Sequence, residues 1–339
     1  MNRARWDLCG GRPAMGVPTA ITRRDGRGTP VDPVEAVHWV RLAAVQDYGP
    51  ATTILGDFYA KGFGVPADSA EAVKWFLRGA VQGLAESQNS LAIHYATGNG
   101  VVQDQVRAFM WFAAAASNGS PDAVQNRDRV PLDRSTDIYK IISAAAAGEP
   151  EAQRDLAIRL HGGDGIQQDA DAAHYWLHRA AESGDPWSQT TYALQLKRSD
   201  DPEVEREKVR WLSLAAEQGD DRALFNLGLK QLLGEGTAAD PESGAANVLR
   251  ASLAGFEEAR GAIEMAKTAI PDELWPSIIE RVKWPSSQRL VNSSKVLASD
   301  IRRFSRCFSW LGDWPSAMAL RASVQRSRAI RSEIPSFDP

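Results

Sequence analysis

Cysteine is scarce in this chain of 339 residues: Cys9 and Cys307 are the only two, and they stand near opposite ends. A disulfide-stapled scaffold is therefore excluded, which favours a reducing compartment, and we expect the cytoplasm. No apolar run approaches the length of a transmembrane helix, so no membrane span is expected. Residues 1–24 have no continuous apolar core, so we expect no secretory signal there.

Catalytic motifs are also missing. The chain has no GxSxG, P-loop or SxxK pattern, which removes common signatures of hydrolases and nucleotide-binding enzymes. His174 and His178 are spaced for one helix face and His161 stands nearby in sequence, but no acid completes an HExxH-like zinc site. His94 lies in an apolar run, and we expect it to be packed and hydrogen-bonded. We expect no catalytic residue, no metal and no cofactor, with a hydrolase as a remote alternative.

What the sequence has instead is a repeat. Trp39, Trp75 and Trp111 are spaced by 36 and 36 residues, a period typical of stacked helical units. A glycine turn recurs with them, as GFGVPAD at 62–68 and GNGVVQD at 98–104. The first glycine of each turn would end a helix at positive φ, and Asp68 and Asp104 would cap the next helix. The anchors of the repeat are Trp39, Trp75, Trp111, Trp176, Trp211, Gly62, Gly98, Gly163 and Gly234.

The stretch WFLRGAVQGLAESQNSLAIHYATGNGVVQD at 75–104 resembles the Sel1-like repeat, a relative of the tetratricopeptide repeat, and the resemblance covers roughly residues 33–268. It implies an all-α, right-handed superhelical solenoid of about seven helix-turn-helix repeats. Such proteins serve as adaptors or scaffolds in bacterial signalling or complex assembly. One interval is short: counting back eight from Gly148 gives Lys140 as the fourth anchor, 29 residues after Trp111. RDRVPLDRST at 127–136 replaces the glycine turn, so we expect an irregular unit near 120–140.

The net charge of −4 hides an uneven distribution. Residues 1–30 hold six arginines and two aspartates, residues 31–280 hold 22 basic and 37 acidic residues, and residues 281–332 hold 11 basic and two acidic residues. We expect a disordered basic segment at 1–30, the solenoid at 31–268, and a basic helical segment at 269–339 with a disordered end. An apolar stripe at 296–311 predicts a helix that caps the last repeat. The alternatives are a helix that docks on a partner or membrane surface, and a poorly ordered tail.

The resemblance also places a partner-binding concave groove on the second helix of each repeat, by analogy with tetratricopeptide repeats. At its groove positions the chain has Arg154, Trp187, Arg222 and Phe225, and aromatic and arginine side chains are enriched at binding hot spots. For Trp187 and Phe225 the alternative is packing between neighbouring repeats. We expect a protein-interaction scaffold whose partner is another protein or peptide with acidic groups. The alternative function is binding of nucleic acid or an anionic surface through the basic C-terminal segment.

Overall fold

The computed structural model describes residues 32–196 and 201–283. Over these residues every regular element is helical, with fifteen α-helices, one short 3-10 helix and no strand, which confirms the all-α class. The described residues belong to two compact units that divide between Asp185 and Pro186. The expected disordered segment at 1–30 and the expected helix at 296–311 lie outside the described residues.

Each unit is a series of short helices joined by turns. The first unit contains α1 (Pro33–Val45), α2 (Gly49–Lys61), α3 (Ser69–Val81), α4 (Ala85–Thr97), α5 (Gln105–Ser117), α6 (Pro121–Arg129), α7 (Asp137–Ala146), α8 (Pro150–Gly162) and α9 (Ala170–Glu182). The second contains α10 (Pro186–Gln195), α11 (Pro202–Glu217), α12 (Asp221–Leu233), α13 (Pro241–Ala254), α14 (Glu257–Ala269), the 3-10 helix Asp272–Leu274 and α15 (Trp275–Lys283).

Side-chain caps and left-handed glycines set the helix boundaries. Asp68 and Asp104 each accept a hydrogen bond from the backbone N–H three residues later, at 3.0 Å, which confirms them as N-caps. Four second helices end at a glycine with φ between 71° and 80°, a conformation that costs glycine little. These glycines are Gly62, Gly98, Gly163 and Gly234.

The repeated tryptophans lie on first helices, but they are not equally buried. Trp111, Trp176 and Trp211 are buried, with at most 4 % of the residue exposed. Trp39 and Trp75 are only partly buried. Their indole nitrogens donate to the carboxylate of the glutamate four residues earlier, at 3.3 and 3.1 Å. A polar partner near the surface holds the ring edge of these two tryptophans there.

The irregular unit lies where the short interval placed it. Helix α6 has nine residues and α7 has ten, whereas each helix from α1 to α5 has 13. The missing residues thus come from the end of α6 and the start of α7. The second glycine of the turn shows the consequence: a Cβ on Gly100 would lie 2.7 Å from the backbone nitrogen of Ala70, whereas a Cβ on Gly165 would meet nothing closer than Arg159, at 3.8 Å.

In the first unit the tryptophan-bearing helices contact one another across repeats. Helix α9 touches α3 and α5, and the rings of Trp111 and Tyr175 lie 5.4 Å apart. Every side chain of α5 from residue 107 to 115 is buried. Arg107 is held at 2.9 Å by Asp104 and lies 3.6 Å from Asp169, which caps α9. The side of the first unit that these helices form is therefore closed by the chain itself.

In the second unit, α12 and α13 approach closely through paired glycines. A Cβ on Gly228 would lie 2.7 Å from the carbonyl oxygen of Gly244, so neither position has room for a side chain. An ion triad joins α11 to α12. Burial acts to raise the pKa of Glu205, but hydrogen bonds from Lys208 at 2.7 Å and Lys230 at 2.6 Å outweigh it and hold that pKa below its ordinary value.

The last helix of the described residues, α15, covers the end of the last repeat. Ile278 and Val282 of α15 are buried against a cluster that includes Ala245 of α13. Arg281 lies 3.0 Å from Glu242 at the start of α13. This helix closes the apolar side that the last repeat of a stacked array would otherwise expose.

Candidate partner-binding surfaces

The four predicted groove residues lie on second helices. Arg154 is on α8 in the first unit; Trp187 on α10 and Arg222 and Phe225 on α12 belong to the second. They occupy two phases of the helix. Arg154 and Phe225 precede the repeat leucine, Leu156 or Leu227, by two residues, and Arg222 precedes Leu227 by five. Trp187 precedes Tyr192, which takes the place of the leucine in its repeat, also by five. The two phases have different surroundings.

Side chains at the Arg154 phase reach the following repeat. Arg154 Nη1 lies 2.5 Å from Asp185 Oδ1, and this carboxylate belongs to a residue only 5 % exposed. The ring of Phe225 packs at 5.2 Å against that of Phe256. The same phase elsewhere gives the hydrogen-bonded pairs Thr53–Ser87, Asn89–Asn126 and Thr190–Asp220. For Phe225 these contacts agree with the packing alternative, and partner binding by Phe225 or Arg154 stays a prediction.

Side chains at the Trp187 phase are exposed. Trp187 is 39 % exposed, and Leu194, seven residues later on the same face of α10, is 40 % exposed. Between them the hydroxyl of Thr190 donates to Asp220 at 2.9 Å, two residues before Arg222. Arg222 is exposed and has no ion-pair partner in the described part of the chain. We call Trp187, Leu194 and Arg222 the Trp187 surface.

The first unit has a different open feature, a cleft of about 290 Å³ between α4, α5 and α6. Ile93, 42 % exposed, and the buried Phe112 supply apolar surface, together with Ala96. Its full lining is Ile93, Ala96, Thr97, Gln105, Phe112, Asn126, Arg129, Val130 and Pro131. The cleft is open because α6 ends at Arg129, a turn earlier than the other second helices of this unit.

Arg129 supplies the charge of this cleft. It is the one charged residue in the lining, it is exposed, and it forms no ion pair among residues 32–196 and 201–283. The neighbouring polar groups are engaged within the protein: Asn126 donates to Asn89 at 3.1 Å, and Thr97 donates to the Ile93 carbonyl at 2.8 Å. Sequence reasoning missed this cleft, although the 29-residue interval indicated where the repeat is irregular.

The histidines have ordinary surroundings. His94 is buried with Nδ1 2.6 Å from the carbonyl oxygen of Asn99, which confirms the packed, hydrogen-bonded interpretation. His178 Nδ1 lies 3.9 Å from Glu182 Oε2. Within the described ranges, no three potential metal ligands cluster. None of the helices described is long and apolar enough to cross a membrane.

Comparison with known families finds the Sel1 repeat at residues 21–48, 50–84, 85–120, 150–185, 209–220 and 221–256, which together make up more than half of the chain. The match omits residues 121–149, the stretch that holds α6 and α7. No curated protein matches the chain.

Two solved structures are similar. A Sel1 repeat protein from Oxalobacter formigenes is 25 % identical over 74 % of this chain and 75 % of its own, with a TM-score of 0.36. The protein c5321, described as a protective antigen present in uropathogenic Escherichia coli strains displaying an SLR fold, is 19 % identical. That match covers 80 % of this chain and 76 % of the other, with a TM-score of 0.35.

Proposed function

The chain belongs to the Sel1 repeat family, whose repeats mediate protein interactions, and on that premise we propose that it is a scaffold that binds a protein or peptide on the Trp187 surface. The observation that carries the proposal is the exposure of Trp187 itself, at 39 % on a helix of ten residues. Removing the remaining apolar surface of a tryptophan from water is favourable, and a bound partner would do so.

Packing of the repeats does not account for a tryptophan at this phase. The equivalent positions on α2, α4 and α8 are Pro50, Glu86 and Glu151, all exposed, so the stacking of second helices does not require an aromatic ring there. Arg222 adds a positive charge within a region, residues 31–280, that has 37 acidic and 22 basic residues. An exposed aromatic with an exposed leucine on the same helix face, and an exposed arginine at the same phase of the next second helix, suits a partner segment that has apolar and acidic side chains.

We further propose that the scaffold serves a bacterial signalling or assembly complex and has no catalytic role of its own. The cytoplasm is the proposed compartment, because cysteine is scarce. Binding of nucleic acid through residues 281–332 stays the alternative, and a salt-dependent affinity for RNA or DNA would favour it.

The test compares proteins retained from a cell lysate by the immobilised full chain and by its variants Trp187→Ala and Arg222→Glu. Matched controls are Leu214→Ala, an equally exposed apolar residue on α11, and Arg260→Glu, an exposed arginine on α14. We expect a retained protein whose binding falls about tenfold or more, roughly 1.4 kcal/mol, in both site variants and stays unchanged in both controls. Equal retention by all five proteins would refute the proposed surface.

A further inference from the structure

We infer that the cleft between α4, α5 and α6 is a second docking site, and that it takes a peptide segment in which an aliphatic side chain stands next to an aspartate or glutamate. The site lies in the first unit and is independent of the Trp187 surface, which lies in the second.

The first step is the origin of the cleft. Helix α4 runs to Thr97 and presents Ile93 and Ala96 to its neighbour, but α6 stops at Arg129 after nine residues. Thirty-six residues after Ala96 the chain is at Leu132, in the link to α7 and no longer in a helix. The last turn that would cover Ala96 is therefore absent, and the apolar face of α4 stays open at this end.

The second step is size and chemistry. The volume of about 290 Å³ is close to the lower end of small-ligand pockets, which suits one or two large side chains better than a whole cofactor. Ile93, Ala96, Phe112, Val130 and Pro131 give apolar surface on both sides. Since Ile93 is 42 % exposed without an occupant, an aliphatic side chain seated here would bury it.

The third step is charge, and it decides the occupant. Arg129 is the charged residue of the lining, so a neighbouring carboxylate gains a partner and a basic group is repelled. The chain's own segments outside the described residues are each net basic, with six arginines against two acids at 1–31, two basic residues against one acid at 197–200, and nine basic against four acidic residues at 284–339. We therefore assign the cleft to an acidic segment of another protein and not to a tail of this chain.

The test uses a positional-scanning library of octapeptides with acetylated N-termini and amidated C-termini, so that any selected carboxylate is a side chain. It is applied to the folded full chain and to Arg129→Glu and Ala96→Leu, the second of which fills the cleft. Matched controls are Arg134→Glu, an exposed arginine in the same link, and Ile158→Ala, an aliphatic residue at the phase of Ile93 on α8. Circular dichroism confirms that each variant is folded.

We expect the wild type and both controls to select an aliphatic residue adjacent to Asp or Glu. Arg129→Glu should weaken the best peptide at least tenfold and lose the acidic preference, and Ala96→Leu should lose the aliphatic preference. In methyl NMR the peptide should shift the signal of Ile93 and leave that of Ile158 in place. Trp187→Ala should bind this peptide normally, which separates the result from the proposed function. Three results would each overturn the assignment. They are a library screen that selects no residue class, a preference for basic residues, and binding by Arg129→Glu and Ala96→Leu that equals binding by the wild type.

Discussion

Replacing Gly100 by alanine should destabilise the protein more than replacing Gly165 by alanine, although both glycines stand at the same place in the turn. Their φ angles are +75° and +70°, so both substitutions put an L side chain in the left-handed region. That conformation costs about 1–2 kcal/mol for a residue with a Cβ. The surroundings differ, because the new Cβ at 100 would meet the start of α3, whereas at 165 the corresponding first turn of α7 is missing.

The magnitude follows from the contacts. At 100 the Cβ would lie 2.7 Å from the backbone nitrogen of Ala70 and closer still to the backbone of Ser69, and backbone atoms in a helix cannot move aside separately. Overpacking of this kind adds about 1–3 kcal/mol, so we expect a total near 2–5 kcal/mol for Gly100→Ala. At 165 the nearest atom is the flexible end of Arg159 at 3.8 Å, which leaves only the conformational cost of about 1–2 kcal/mol.

Hydrogen exchange followed by mass spectrometry is the appropriate assay, because a repeat array opens locally and one global unfolding energy is not well defined for it. Gly100→Ala should lower the protection of peptides from α3 and α4 by the larger amount, and Gly165→Ala should lower the protection around α8 and α9 by the smaller one. If the two variants lose the same protection, the close approach at 100 contributes nothing, and the account of the missing turn at 165 is wrong.

Three further outcomes are expected. Trp111→Ala should cost about 3–5 kcal/mol of local stability and Trp39→Ala clearly less, because only the ring of Trp111 is fully buried. Hydrogen exchange of α5 and α1 measures the two losses, and equal losses would contradict this. Glu205→Gln should destabilise the second unit at pH 7. The difference in stability between this variant and the wild type should decrease as the pH falls below about 4.3. The reason is that the pKa of Glu205 is lower in the folded protein than in the unfolded chain. Its charge therefore stabilises the fold at pH values above the unfolded pKa, and this stabilisation is lost as the pH falls through the folded pKa. A stability difference that does not change with pH would refute the role of the triad. Phe225→Ala should increase the rate of hydrogen exchange in α14, because the ring of Phe225 packs on that of Phe256, the residue before this helix. An unchanged exchange rate in α14 would favour the prediction that Phe225 binds a partner.

Local features of the fold could be predicted from the sequence because their causes are local. A glycine at the end of a second helix and an aspartate before a first helix act within one or two turns, so Gly98 and Asp104 were assigned correctly without knowledge of the stacking. The partial exposure of Trp39 could have been suspected from Glu35, four residues earlier, because side chains at this spacing meet on a helix.

Contacts between repeats could not be predicted in the same way. When each helix is considered alone, Arg154 and Phe225 lie at positions that are expected to be exposed. In the structure the following repeat contacts both of them, with Asp185 pairing with Arg154 and Phe256 packing on Phe225. The contact of Trp111 with Tyr175 joins two residues that are 64 positions apart in the sequence, on either side of the irregular unit. No period within the sequence specifies this contact. Such contacts depend on how successive pairs stack, and a shortened unit changes that stacking.

The shortened repeat, which contains α6 and α7, affects the two sides of the first compact unit differently. In an array where each repeat packs on its neighbours, a lost turn removes contacts on every face that it formerly touched. On the tryptophan side the chain compensates, since α5 is buried along its whole middle and Arg107 reaches Asp169 in place of the lost neighbour. On the α4 side no described residue covers Ile93 in a comparable way, and it is 42 % exposed. The tryptophan side is thus closed by Arg107, which is buried and paired, whereas the α4 side has the exposed Arg129 in a cleft with apolar lining. The opening is therefore specific to the α4 side, and we expect an external segment to bind there.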